Sequence, residues 1–372
     1  MTAATALVSG NDPLPQIAED AIRQALAKAG LTHANGVLLF LTPEFARHAQ
    51  HTITAAARAA QCTQVAGGIA AGVFTESGWV VDRPAAAVMV FGRGLSLGHP
   101  QAGDAPLLSY ASGNFPPEWS TSGTRFGGSF AGSVGYAETV IWQQSRLAEK
   151  QRCSVQLLGA DVDIGVSSGL RLLGEPLPVE RSNGYDLERL GGQAALRSLN
   201  RVLPLELRQN TAHQLHQLSA VLIDSDDQAE NALAEGRYRP LAIIAANADK
   251  SLTLTEHVAP GQHLAWAIRQ TLSAEADMRQ MLDRLAANTL TNDPVGALMF
   301  SCIGRGPFFY GGEDRDLNLL CERFPALPVL GTYATGQIAP TPRAVQPCNR
   351  QLQNAVVTAL ISRQKAHVQS IT

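Results

Sequence analysis

The residues best suited to chemistry stand in one run, Cys302-Ile303-Gly304-Arg305-Gly306, directly after the apolar stretch from Gly296 to Ser301. Arginine presents a planar fork of donors that matches a carboxylate or a phosphate. Gly304 and Gly306 on either side allow positive φ and a close approach by a ligand. Open α/β sheets hold ligands at the carboxyl ends of their strands, so the run reads as an anion clamp. In the competing reading Arg305 pairs with a structural carboxylate, such as Glu313, and pins the loop. Cys302, near this cation, is either a nucleophile or redox centre of lowered pKa, or a small buried hydrophobe.

Other residues could complete such a site. Tyr310-Gly311-Gly312-Glu313-Asp314 opens an expected helix from Asp316 to Phe324. Its free N–H groups suit an anion, although Glu313 and Asp314 equally suit an ordinary acidic first turn. Gly67, Gly68 and Gly72 in one segment, and Gly331 and Gly336 in another, are turn glycines that a pocket rim would also use. Gln337 and Asn354 offer neutral hydrogen bonds, and Asn349 and Asn354 equally suit turn caps. The pairs His48/His51 and His213/His216 have the spacing of metal ligands on a helix, but no third ligand accompanies either. Asp224, Asp226 and Asp227 read as helix caps. Neither a phosphate-binding P-loop nor a G-x-S-x-G elbow occurs.

Elements that would position these residues occur twice. Gly36 to Leu41 is an apolar strand followed 31 residues after Gly36 by Gly67; Gly296 to Cys302 is another, followed after 35 residues by Gly331. Each copy reads as strand, helix and G-x4-G turn, then a further apolar run, Ala85 to Phe91 or Ala355 to Ile361. An α/β fold follows: two related modules from internal duplication, each a mixed sheet packed with helices, with a ligand cleft between them. Thr42-Pro43-Glu44 starts a helix reaching about Ala60. Asn11-Asp12-Pro13 caps a helix that Gly30 stops. Residues 104–128 read as a long loop, and Val134 to Trp142 and Val155 to Val166 as strands. The region from Leu205 to Leu233 reads as helical, Ser273 to Ala287 strongly so, and residues from about Lys365 as a loose tail. The change of character around Pro204 divides the chain at residue 204.

The chain has 372 residues, 45% apolar and 16% charged, with net charge −3. That suits a globular protein of two domains. Without a basic block, nucleic acid is not an expected partner, and no apolar run is long enough to span a bilayer. The five cysteines are widely spaced, without C-x-x-C, and the start lacks a signal peptide's character. A reduced, cytoplasmic protein is expected.

Phe300-Ser301-Cys302-Ile303-Gly304-Arg305-Gly306 resembles the F-S-C-x-G-R-G signature of FIST domains. Leu330 to Ile338 resembles the family's G-F-Y-x-x-G-E-I segment, and Asn349 to Asn354 its closing N-x-x-L-H-N stretch. Looser matches are Phe126 to Ser129, Ile164 to Leu170 and Gly191 to Ala195. The resemblance implies a FIST N-like domain over 1–203 and a FIST C-like domain over 204–372. Three positions depart from the pattern: Gln337 replaces Glu, and Ser168 and Gln353 replace His.

The resemblance implies a cytoplasmic sensory protein binding a small anionic metabolite such as an amino acid, and signalling through an unidentified output protein. Arg305 would take the acidic group, the turns at Gly67 and Gly331 would frame the pocket, and no cofactor is expected. Two other readings stand: a cysteine-dependent enzyme or redox sensor using Cys302, and a haem-based nitric oxide sensor. The latter would use His33, His99, His257 or His263, although the two missing family histidines weigh against it.

Overall fold

The computed structural model describes residues 2–130, 140–208, 215–223, 238–288, 293–341 and 348–364. His213, the aspartates at 224, 226 and 227, the first part of the expected strand before Trp142 and the expected tail lie outside these residues. The chain is a mixed α/β protein of several sheets packed with helices. It forms two compact units: residues 1–167, 278–340 and 346–372, and residues 168–277 with 341–345. Residue 204 lies inside the second unit, so the change of composition there does not mark a boundary between compact units.

Three six-stranded sheets build the first unit. One has the order β1 (Ala3–Ser9), β6 (Ala85–Phe91), β2 (Gly36–Leu41), β3 (Val65–Ile69), β10 (Ile141–Gln143) and β11 (Arg146–Leu147). A second has the order β13 (Ala160–Ser167), β26 (Val356–Arg363), β22 (Pro294–Cys302), β23 (Val329–Ala334), β4 (Gly72–Thr75) and β5 (Gly78–Val81). The two share one pattern of directions: antiparallel, antiparallel, parallel, antiparallel, antiparallel. The two strand–helix–strand copies read from the sequence are β2 to β3 and β22 to β23, at equivalent places. The third sheet has the order β25 (Asn349–Leu352), β24 (Gly336–Pro340), β9 (Arg125–Ser129), β8 (Leu107–Ala111), β12 (Arg152–Leu158) and β7 (Ser96–Gly98). The expected loop over 104–128 therefore carries β8 and most of β9.

The continuous apolar runs are buried on both faces, as parallel strands under helices must be. From β2, Val37, Leu39 and Leu41 meet the helices Pro15–Ala29 and Ala49–Ala60, while Leu38 and Phe40 face the opposite way. From β22, Ala297 and Met299 meet the helices Thr271–Asn288 and Arg315–Arg323, while Leu298 and Phe300 face the opposite way. Those opposite faces share one core with the inner face of the third sheet. Phe40, Tyr110 and Phe300, one from each sheet, pack with ring centroids 5.5 to 6.2 Å apart. The cleft expected between the modules is thus filled by apolar side chains. The sheets also interlock: the hairpin β4–β5 follows β3 but adds to β23.

In the second unit β15 (Leu177–Asn183), β16 (Asp186–Leu190), β20 (Leu252–Leu254), β19 (Tyr238–Ala246), β18 (Leu218–Ile223) and β21 (His263–Arg269) pair in a closed antiparallel ring. β14 (Leu170–Leu172) and β17 (Gln193–Ala194) add to it. Closure removes exposed strand edges. The helix Ala195–Val202 contributes Ala195 and Leu199 to the core, and its Ser198 accepts from the Trp266 indole at 3.1 Å. Residues 218–223 are a strand where a helix was expected. No helix among the described residues is long and apolar enough to cross a membrane.

Candidate functional site

β22 carries Cys302 at its carboxyl end, the place where the sequence expects a site. Cys302 is 5% exposed, and its thiol lies 3.8 Å from Asn354 Oδ1. Asn354 sits in the turn between β25 and β26 with φ +56°, a left-handed conformation that asparagine tolerates better than most residues. Gln337 on β24 completes the group. With its amide oriented to satisfy its neighbours, it donates to Ala355 O at 3.2 Å and Leu352 O at 3.3 Å. It also accepts at 3.1 Å from the Cys302 N–H, which donates to Ala355 O as well, at 3.0 Å. Cys302, Gln337 and Asn354 therefore come together from three segments.

Arg305 does not serve as an open clamp. It is 1% exposed, and its fork is filled by Asp316, with Nε to Oδ2 at 2.9 Å and Nη2 to Oδ1 at 3.0 Å. Nη1 donates to Ser167 O at 3.0 Å and Nη2 to Ser167 Oγ at 2.9 Å. Burial opposes its charge, and Asp316 together with Tyr310 more than offsets that, so Arg305 is held above its ordinary pKa. The pairing reading was right in kind and wrong in partner: the carboxylate is Asp316, not Glu313. Asp314 caps the helix Arg315–Arg323 by accepting from the Leu317 N–H at 2.9 Å, so the helix start is closed by its own residue. Tyr333 donates to the other Asp314 oxygen. Burial pushes Asp314 up to about 6, against the downward pull of these two hydrogen bonds.

The glycines mostly serve packing. Gly67 lies within β3 at φ +155°, where an added Cβ would sit 1.8 Å from Leu39 O. Gly331 lies within β23 beneath Phe74, whose ring would be 1.9 Å from a Cβ. Gly68 packs against Phe130 and Ile141, Gly306 against Tyr333, and Gly336 against Gln351. Gly304 and Gly312 are exposed. Among the candidate haem ligands, His33, His99 and His257 are exposed and His263 is half-buried. No group of three or more His, Cys, Asp or Glu among the described residues is placed to hold a metal ion. Sequence reading missed Asp316, Ser167 and Tyr333. Asp316 is visible as an acid beside a capping aspartate, whereas Ser167 lies 138 residues from Arg305 and gives no local signal.

Residues 195–340 match the FIST C domain. Uncharacterized protein Rv0628c of Mycobacterium tuberculosis is 27% identical over 222 residues, 58% of this chain and 56% of that protein. Uncharacterized protein Mb0898c of Mycobacterium bovis is 26% identical over 215 residues, 58% of this chain and 55% of that protein. The chain thus spans about half the length of the curated relatives it matches. The matched span contains Cys302, Arg305 and Gln337, so the resemblance to a FIST C domain covers the residues around the end of β22.

Proposed function

We propose that this chain is a cytoplasmic sensory protein that holds a small anionic metabolite, such as an amino acid, and passes the signal to a separate output protein. A FIST C domain suggests a sensory, ligand-binding role. The carrying observation is the convergence of Cys302, Gln337 and Asn354 at the carboxyl end of β22. Asn354 is the half-buried, outermost member and offers the amide a ligand would meet first. With Arg305 committed to Asp316, an acidic group on the ligand needs a different cation. Residues 1–203 are assigned to a FIST N-like domain on the sequence resemblance alone. The cysteine-enzyme reading gains no support among the described residues, where the Cys302 thiol's hydrogen-bond partner is an amide, which is no base.

Native mass spectrometry of the protein purified from its host, with an absorption spectrum, tests this reading. A co-purifying small acid, lost in Asn354→Gly, is the expected result; glycine keeps the positive φ while removing the amide. A haem mass with a Soret band, or a ligand retained unchanged by Asn354→Gly, would overturn it.

A further inference from the structure

Arg305 is one of two arginines buried in the first unit, and the other has no counter-charge among the described residues. Arg125, at the start of β9, is 8% exposed. Its Nη1 donates to Ser154 Oγ at 2.8 Å and to Ser109 Oγ at 3.0 Å. Its Nε donates to Ser122 O at 3.0 Å and Ser122 Oγ at 3.2 Å. The guanidinium carbon lies 4.9 Å over the Trp119 ring. Among the described residues no carboxylate forms an ion pair with it, and Nη2 makes no hydrogen bond. The nearby Glu118 is taken by Arg152, two residues before Ser154 on β12. Burial without a compensating charge lowers the Arg125 pKa.

The surroundings hold this guanidinium in place. Ser109 and Ser154 are directly opposed across β8 and β12. Asn349 accepts from the Arg125 N–H at 2.8 Å and donates to Trp119 O and Gly123 O at 2.7 Å each, fixing the loop that covers the charge. Isolated buried charges are costly, and buried cations are normally paired. Here the neighbours are hydroxyls that accept from the arginine: Ser109 Oγ also donates to Leu107 O at 3.3 Å and lies 3.2 Å from Ser154 Oγ, while Ser122 Oγ keeps a proton to donate among the described residues. The two Nη2 donors, on a guanidinium whose other nitrogens are held by serines, suit an anion.

We propose that Arg125, Ser109, Ser122 and Ser154 form a binding site for a small oxyanion, the phosphate or carboxylate group of a metabolite. Trp119 and Asn349 hold the arginine and its loop in position. Arg125 and Gln337 lie on opposite faces of the third sheet, so this site is separate from the Cys302 group and does not rest on the function proposed above.

Calorimetric titration of the full chain with inorganic phosphate, and separately with acetate and L-glutamate, tests the site. Saturable binding by one of these is expected. The double variant Ser109→Ala/Ser154→Ala should weaken it about tenfold or more, since each lost hydrogen bond is to a charged group. Arg125→Lys, which keeps charge but loses the planar fork, should also weaken it. Asn354→Gly should leave it intact, which separates this site from the other. Binding of phosphate alone identifies a phosphorylated ligand, and binding of a carboxylate alone identifies an organic acid. No binding by any probe, or binding unchanged in both Arg125→Lys and the serine double variant, would overturn the proposal.

Discussion

Position 337 requires an amide, because two carbonyls and an N–H meet it. A carboxylate there would turn an oxygen toward Ala355 O and Leu352 O without a proton to offer. Gln337→Glu should cost a few kcal/mol at neutral pH and recover as pH falls, because the buried acid binds a proton in the folded state. Denaturant melts at pH 5 and pH 8 measure this, and equal losses at both would refute it. Asp316→Asn leaves Arg305 buried and uncompensated, at a cost of about 3–5 kcal/mol; a loss below about 1 kcal/mol would show the pair to be dispensable. Asp314 carries a pH dependence of defined sign. Its folded pKa of about 6 lies above the unfolded value, so its contribution is fully present below about 4 and lost as pH rises through about 6. Relative to Asp314→Asn, the native protein should therefore lose on the order of 2–3 kcal/mol across that window. A difference between the two proteins that stays constant from pH 4 to 7 would contradict it.

At the scale of elements, apolar periodicity revealed β2, β22 and the helices around them, because strands buried on both faces read as unbroken apolar runs. The same reading missed β8 and β9 among prolines, serines and glycines, where pairing partners rather than composition make the strands. The glycines of the repeated motif were legible as special, but the structure assigns them to close packing. At Gly331 a side chain would occupy the space of the Phe74 ring. Gly331→Ala should thus destabilise by roughly 1–3 kcal/mol, and Phe74→Leu should relieve part of that loss. Additive losses in the double variant would show that the ring is not what the glycine accommodates.

Across the whole molecule, the repeated strand–helix–strand pattern corresponds to two sheets of one topology that share a core. The second unit has its own closed ring of strands and its own core, interrupting the first unit in sequence. Leu264→Ala should cost about 2–5 kcal/mol within that ring and shift its unfolding ahead of the first unit's. Hydrogen exchange resolves the two: a shift spread equally over both units would mean that they unfold as one.

Local features of the sequence determined the α/β class, the doubled motif, the FIST resemblance and the grouping of Cys302 near the end of its strand. Each depends on periodicity or on neighbours a few residues apart. Only the tertiary structure decided which carboxylate Arg305 meets, that the space between the modules is filled, and that Arg125 meets none among the described residues. Those outcomes depend on groups brought together across the chain, such as Ser167 to Arg305 and Asn349 to Arg125, 138 and 224 residues apart. A charge is satisfied by whatever burial places beside it, and burial is set by the packing of sheets, which no single segment encodes.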